Sequence, residues 1–164
     1  MKKRRYNPAL TATIWAAAVL WVGVLFYLST QPGAQSSALS SWFTQIILKV
    51  FRFVHYQPAV LEPVLRKLAH FCIFAFEGFL LTLAMARTVR NPFHGAFDSA
   101  LICLLMAAAN EYSQLFAEGR SCELRDVMID GGGALLGVLV ALALHQLVRA
   151  ARRRRRKQRR ERAE

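Results

Sequence analysis

The sequence contains few cysteines, and their number and spacing exclude two kinds of site. The three cysteines are Cys72, Cys103 and Cys122. An odd count supports no disulfide framework, and spacings of this size match no zinc motif. Two of the three lie within apolar segments, where cysteine usually behaves as a small hydrophobic residue. We therefore expect no cysteine chemistry and no cofactor.

Acidic residues are also scarce. The chain has 22 lysines and arginines against 10 aspartates and glutamates, which gives a formal net charge of +12. Many of the cations lie at the two ends, in residues 2–5 and 152–162. A basic protein could bind nucleic acid, but no recognisable nucleic-acid-binding motif accompanies this charge. Basic ends beside apolar segments are typical of cytoplasmic ends attracted to anionic headgroups, so membrane lipids are the expected partners and nucleic acid is not.

Long apolar segments occur four times, at about residues 10–29, 66–85, 97–116 and 126–148. About 20 apolar residues are enough for a helix to cross a hydrocarbon core of about 30 Å. The first segment could be a signal peptide, but its apolar core is longer than the usual range of about 7–15 residues and lacks a clean cleavage site. The sequence therefore predicts an all-α integral membrane protein, a bundle of about four transmembrane helices whose first helix is an uncleaved anchor.

These segments divide the chain into three parts. Residues 1–9 form a basic cytoplasmic N-terminus, residues 10–148 form the membrane domain, and residues 149–164 form a basic cytoplasmic tail that we expect to be disordered. In the first loop, residues 41–55 place apolar side chains at helical spacing with polar side chains turned away. This favours an amphipathic helix lying in the membrane surface over a helix packed on the bundle.

The basic residues also predict the orientation of the chain. Both ends are positive, and the second loop carries Arg87 and Arg90 without an acidic residue. The third loop, residues 117–125, balances its cations with Glu118 and Glu123. The positive-inside rule then places both termini and the second loop in the cytoplasm. We predict a multi-pass protein of the bacterial plasma (inner) membrane.

Ionisable and amide side chains interrupt the last three apolar segments. In the predicted topology, six of them converge near the outer face together with Arg120 of the third loop: Lys67, His70, Glu111, Gln114, Asp126 and Asp130. Such groups normally pair or line a polar path, because their desolvation in lipid is costly. The cluster could be an ion-pair network that fixes helix register, but the number of groups favours a pocket open to the outer surface. Glu77, about 15 Å below Lys67 by helical rise, is expected to be protonated or hydrogen-bonded across helices.

A run of small residues in the fourth segment predicts a close helix contact. Gly133 and Gly137 have the Gly-x-x-x-Gly spacing typical of membrane helices that approach each other closely. A phosphate-binding loop is the alternative, but no strand precedes these glycines and no P-loop lysine follows them. We therefore assign Gly133 and Gly137 to helix packing.

Several motifs resemble those of the VanZ-like family, named for a teicoplanin-resistance accessory protein. Residues 28–32 (LSTQP), followed by two serines at 36–37, resemble its element after the first span. The other motifs are Lys-x-x-His followed by Glu, and Glu-x-x-Gln followed by Arg and two Asp: Lys67, His70, Glu77, Glu111, Gln114, Arg120, Asp126 and Asp130. The resemblance covers about residues 14–145.

The chain departs from the family pattern at three positions. Asn110 stands where Asp is common before the Glu, Asp130 stands where many members have Asn, and Phe76 stands near where Tyr is often found. If catalysis needs a second carboxylate beside Glu111, Asp130 on the neighbouring helix is the residue that could supply it.

The resemblance implies a role in the cell envelope or in susceptibility to glycopeptide or lipid-targeting antibiotics, and three mechanisms stay open. The first is binding of a lipid-linked cell-wall intermediate, a surface ligand or an envelope protein. The second is an enzyme in which His70 and Glu111 act as acid and base. In that enzyme, Lys67 and Arg120 would hold an anionic group, and Asp126 and Asp130 would orient the other residues or bind a divalent cation. The third is a small transporter with Glu77 as a proton site. We rank binding first and assign no catalytic residue; the oligomeric state stays open.

Overall fold

The computed structural model describes residues 7–32, 38, 41–42, 45–46 and 58–162. This part of the chain forms four long helices: α1 (Pro8–Ser29), α2 (Pro58–Thr88), α3 (Pro92–Gln114) and α4 (Leu124–Glu161). Each contains a stretch long and apolar enough to cross a membrane. No strand occurs among the described residues, so the predicted all-α bundle of four membrane-length helices is confirmed. The predicted amphipathic helix, residues 41–55, lies largely outside the described residues.

Asparagine–proline pairs begin two of the helices. Asn7 precedes α1, and its side chain accepts a hydrogen bond from the Ala9 amide at 3.0 Å. Asn91 caps α3 in the same way, accepting from the Phe93 amide at 3.0 Å. Proline follows each cap, where its fixed φ suits the first helical position and its missing N–H removes no helical hydrogen bond. Since α2 ends at Thr88 and α3 begins at Pro92, the two helices form a tight hairpin.

The last helix extends through most of the tail, residues 149–164, that the sequence predicted to be disordered. α4 runs without interruption from Leu124 to Glu161, well past the apolar segment that ends near Val148. The added residues are mostly arginine, with alanine, lysine, glutamine and glutamate, all good helix formers. The apolar part already supplies the helical nucleus, so extension adds one hydrogen bond per residue without a new nucleation cost. The charge pattern alone had suggested disorder.

The contact between α2 and α4 is the most extensive in the bundle. A Cβ atom added to Gly133 would overlap the Phe71 carbonyl oxygen, and one added to Gly137 would overlap the Ala75 carbonyl oxygen. Gly78 on α2 approaches the Ala134 carbonyl oxygen from the other side in the same way. The Gly133 and Gly137 backbones therefore lie directly against α2, at a separation that only glycine permits.

Helix α1 packs mainly against α2 and makes a smaller contact with α3. Its Trp21 indole Nε1 donates a hydrogen bond to the Ile73 carbonyl oxygen of α2 at 3.1 Å. The same indole contacts Phe76 edge to face, with ring centroids 4.7 Å apart. Most of the rest of α1 is exposed, including Val19 and Leu20. An apolar surface of this kind suits a helix surrounded by lipid, because its side chains contact apolar lipid tails there and not water.

Candidate functional site

Three helices bring their polar side chains together at one end of the bundle. Here α2 begins, α3 ends, and α4 begins after the connecting segment 115–123. The Lys67 ammonium lies 2.5 Å from Asp126 Oδ1 and 3.8 Å from Glu123 Oε2. Helices α2 and α4 are therefore joined by an ion pair at the rim of this end. Lys67 and Asp126 are each 30% exposed, so water partly screens their attraction.

A second pair lies one helical turn deeper. His70 Nδ1 of α2 is 3.6 Å from Asp130 Oδ1 of α4, a distance suited to an ion pair when the imidazole is protonated but long for a hydrogen bond. Asp130 is 0% exposed, and neither of its carboxylate oxygens has a hydrogen-bond partner among the described residues. A buried carboxylate in this state is costly unless a ligand, an ion or water completes its bonding.

Glu111 holds the connection between α3 and α4. Its side chain is buried, and its Oε1 accepts a hydrogen bond from Gln114 Nε2 at 2.6 Å. Its Oε2 accepts from the Glu123 backbone amide at 3.2 Å. Both carboxylate oxygens are therefore used to position neighbouring parts of the protein. The structure brings Glu111 and Gln114 to the cluster, and it adds a role for Glu111 that spacing did not predict.

The polar side chains surround a pocket of about 130 Å³, called the polar pocket below. Such a volume can hold several water molecules or one small polar group. The polar side chains that line it are Arg66, Lys67, His70, Gln114, Arg120, Ser121, Glu123, Asp126 and Asp130. Of these, the motifs predicted Lys67, His70, Gln114, Arg120, Asp126 and Asp130.

Arg66 and Arg120 are the unpaired cations of the polar pocket. Neither guanidinium group forms an ion pair or a side-chain hydrogen bond with any residue that the structure describes. Partial burial lowers the pKa of the Arg120 guanidinium, the neighbouring positive charge of Arg66 lowers it further, and Glu111 raises it. Arginine still stays protonated at neutral pH, because its ordinary pKa is so high. The pocket therefore contains two guanidinium groups without an ion-pair partner among the described residues, beside the paired Lys67 and the carboxyl groups of Glu123, Asp126 and Asp130.

Besides Glu111, two polar residues named in the sequence analysis do not line the pocket. Glu77 is 1% exposed, and its Oε2 has no hydrogen-bond partner among the described residues. It lies deeper in the bundle, beside Gly78 at the contact with Ala134. Asn110 is also buried, and neither its amide oxygen nor its nitrogen has a partner within the described ranges. Both are buried polar groups of the interior rather than walls of the pocket.

The described residues show no arrangement of three or more His, Cys, Asp or Glu side chains that could hold a metal ion. Asp126 and Asp130 were the residues proposed from the sequence to bind a divalent cation. In the structure, Lys67 pairs with the first and His70 faces the second. Because the Lys67 ammonium pairs with one carboxylate and an imidazole faces the other, the arrangement favours a polar pocket over a metal site.

Four membrane-length helices and a polar pocket at one end define a small polytopic membrane protein of the helical-bundle class. The family model described as VanZ/LLP1 matches residues 14–146, most of the chain, so the chain belongs to this family. The family predicted from the motifs is thereby confirmed. Neither a curated protein nor a solved structure matches the chain.

Proposed function

We propose that this VanZ-family protein binds an anionic headgroup in the polar pocket, and that the ligand is a lipid-linked or surface component of the cell envelope. The observation that carries the proposal is the pair Arg66 and Arg120, which line the pocket without an ion-pair partner among the described residues. Guanidinium groups bind phosphate with two parallel hydrogen bonds, which makes arginine the preferred residue for such a group.

The hydrogen-bond acceptors that line the pocket suit a ligand that also carries hydrogen-bond donors. Asp130 lines the pocket with both carboxylate oxygens unpartnered among the described residues, and His70 and Gln114 lie beside it. Carboxylate oxygens accept hydrogen bonds from hydroxyl or amine groups. A phosphate attached to a sugar or to an amine-bearing group offers both kinds of chemistry. Such a headgroup offers a partner both to the arginines and to Asp130, whereas phosphate alone offers one only to the arginines.

The surface around the pocket suits a ligand with a lipid anchor. Large apolar side chains are exposed at this end of the bundle, among them Leu68 at 53%, Phe116 at 77% and Met128 at 70%. An acyl or prenyl chain could lie against this surface in the bilayer while the headgroup enters the pocket. The positive-inside rule puts this end at the outer face, where lipid-linked cell-wall precursors are used.

The functional test is complementation of a deletion strain across a panel of lipid-targeting cell-wall antibiotics. We expect wild type and Arg125→Gln to restore the wild-type susceptibility profile, and Arg120→Gln to fail at equal protein level. Arg125 is the matched control, since it is an exposed arginine at the same end of the bundle that does not line the pocket. Equal restoration by Arg120→Gln and Arg125→Gln would contradict a role for the pocket in envelope function.

An enzyme acting on the same ligand is the second candidate, and the His70–Asp130 pair favours it. An imidazole facing a buried carboxylate at 3.6 Å is an arrangement that can move a proton to or from a bound substrate. With a lipid-linked phosphate as substrate, the enzyme would release a product that mass spectrometry detects. Asp130→Asn should then abolish product formation while the substrate still binds. If the wild-type protein binds the substrate and forms no product, the enzyme function is excluded and the binding function remains.

A further inference from the structure

A second cavity lies at the opposite end of the bundle, where α3 begins and the basic part of α4 leaves the apolar segment. Its volume is about 310 Å³. Pro92 and Phe93 of α3 line one side, and Gln146, Arg149 and Arg153 of α4 line the other. We call this cavity the basic groove. It shares no residue with the polar pocket, so the two sites can be tested separately.

The arginines of the basic groove share one face of α4. Gln146, Arg149 and Arg153 follow each other at i, i+3 and i+7, which stacks them along a single stripe of the helix. Arg149 is half-buried and Arg153 is exposed. Neither arginine forms an ion pair or a side-chain hydrogen bond with another described residue. A half-buried guanidinium group without a counter-ion is unfavourable, and an anion in the groove would remove that cost.

The arginine side chains are the charged hydrogen-bond donors of the groove. Pro92 has no backbone N–H, and the Phe93 amide already donates to the Asn91 side chain at 3.0 Å. The Gly95 amide donates to the Asn91 carbonyl oxygen at 3.1 Å. The Phe93 and Gly95 amides are therefore already used within α3, whose first turn lines the groove. Two guanidinium groups remain for a ligand, and their fork geometry suits phosphate oxygens.

The groove lies at the boundary between apolar and charged surface. On one side of it, the chain continues through an arginine-rich stretch to Arg162. Below it, large apolar side chains are exposed: Phe93 at 61%, Phe97 at 69% and Leu147 at 67%. Phe97 is one turn along α3 from Phe93 and on the same face. A ligand that matches this surface has a negative head and a long apolar body.

We propose that the basic groove binds one anionic phospholipid, with the phosphate between Arg149 and Arg153 and the acyl chains along Phe93, Phe97 and Leu147. Basic pockets between membrane helices on the cytoplasmic side commonly bind anionic headgroups in this way. The occupant is a lipid rather than a soluble phosphate, because the apolar side chains continue directly below the arginines. The site anchors α3 to α4 at the end of the bundle away from the polar pocket.

The remaining arginines of α4 provide a matched control for this site. Arg155 and Arg159 are exposed on the same helix and carry the same charge, but they do not line the groove. A general attraction of the tail to anionic membranes depends on total charge, and it would weaken equally in both double variants. Binding in the groove depends only on Arg149 and Arg153. Comparing the two double variants therefore distinguishes specific binding in the groove from a general attraction of the basic tail to anionic lipid.

The experiment is native mass spectrometry of the full chain in detergent, titrated with phosphatidylglycerol or with phosphatidylcholine. We expect one phosphatidylglycerol to bind before any others and about tenfold more tightly than phosphatidylcholine. Arg149→Gln/Arg153→Gln should lose this preference, and Arg155→Gln/Arg159→Gln should keep it within about twofold. Thermal unfolding with phosphatidylcholine alone checks that both variants are folded, and Arg149→Lys/Arg153→Lys, which keeps the charge, should show an intermediate preference.

Three results would overturn the proposal. Equal loss in the two glutamine variants would show that the tail attracts lipid through its total charge. No preference in the wild-type protein would show that the groove does not select an anionic lipid. Thermal stabilisation by inorganic phosphate as large as that by phosphatidylglycerol would show that the apolar surface contributes nothing. None of these results would bear on the polar pocket at the other end.

Discussion

At the scale of single residues, the Lys67–Asp126 pair is the shortest charged contact that the structure describes at the polar pocket. It joins α2 to α4 where both helices begin. Both side chains are part-exposed, so its contribution lies between that of a surface pair and that of a buried one.

Breaking this pair should lower stability without removing the fold. We expect Lys67→Met to reduce the free energy of unfolding by roughly 1–3 kcal/mol, since it leaves Asp126 half-buried without its charged partner. The double variant Lys67→Met/Asp126→Leu should recover part of the loss, because it removes both charges. Thermal unfolding in detergent measures both effects. Strictly additive losses in the double variant would show that the two side chains do not interact.

Glu111 should control the order of the connecting segment 115–123. Glu111→Ala removes the hydrogen bonds to Gln114 and to the Glu123 amide. We expect faster hydrogen exchange at the Glu123 amide and a loss of roughly 1–3 kcal/mol in stability. Glu118→Ala is the control, because Glu118 is an exposed carboxylate in the same segment. Unchanged exchange in Glu111→Ala would contradict the positioning role.

The sequence predicted which residues lie near each other at the polar pocket, but not how each one is bonded. Helical spacing placed Lys67, His70, Asp126 and Asp130 at similar depths, because spacing fixes depth once the direction of each span is known. Hydrogen-bond partners depend on the path of segment 115–123, which no periodicity specifies. The bond from the Glu123 amide to Glu111 was missed for this reason. Arg66 directly precedes the Lys-x-x-His motif that begins at Lys67, yet its place in the pocket became clear only from the structure.

At the scale of helices, the glycines between α2 and α4 determine how closely the bundle packs. Gly137→Ala places a methyl group against the Ala75 backbone, which cannot rotate away as a flexible side chain would. We expect it to lower stability by about 1–3 kcal/mol through overpacking. Gly23→Ala in α1 is the control, since an added Cβ there has no atom within 4 Å.

The control should even be slightly stabilising, because alanine is favoured over glycine inside a helix by about 1 kcal/mol. Thermal unfolding of the two variants in the same detergent makes the comparison. Equal stability of Gly137→Ala and wild type would mean that α2 and α4 are less closely packed than the structure shows.

The sequence predicted the apolar part of each helix well and its charged ends poorly. Hydropathy detects the long apolar segments that a helix needs to cross lipid, so all four spans were predicted. It does not detect that α2 begins at Pro58 or that α4 continues to Glu161, since a helix outside the membrane needs only propensity and a helical nucleus. For that reason the sequence predicted a disordered tail at residues 149–164, whereas the structure continues α4 to Glu161.

At the scale of the whole molecule, the arrangement of charge predicts which side each end faces. Cys122 is exposed in the segment beside the polar pocket. With Cys72 and Cys103 replaced by alanine, we expect a membrane-impermeant maleimide to label Cys122 in intact spheroplasts. In a chain that also lacks Cys122, Gln158→Cys on the basic end of α4 should be labelled only after lysis. The reverse pattern would invert the topology and place the polar pocket in the cytoplasm.

The order of the helices, their number and the end at which the polar groups gather all followed from the sequence. Four apolar segments separated by short loops allow few arrangements, and the cost of isolated charge in lipid brings polar residues together. The identity of the ligand did not follow, because unpaired arginines indicate the charge of a headgroup rather than its full structure.

The central claim is that Arg66 and Arg120 hold an anionic headgroup in the polar pocket. The most direct measurement is native mass spectrometry of the protein purified from its own membranes, with co-purified lipids identified after extraction. We expect a lipid-linked phosphate to be retained by wild type and by Arg125→Gln, and to be reduced at least about tenfold in Arg66→Gln/Arg120→Gln. Equal retention in all three proteins, or only bulk phospholipid in each, would contradict the claim.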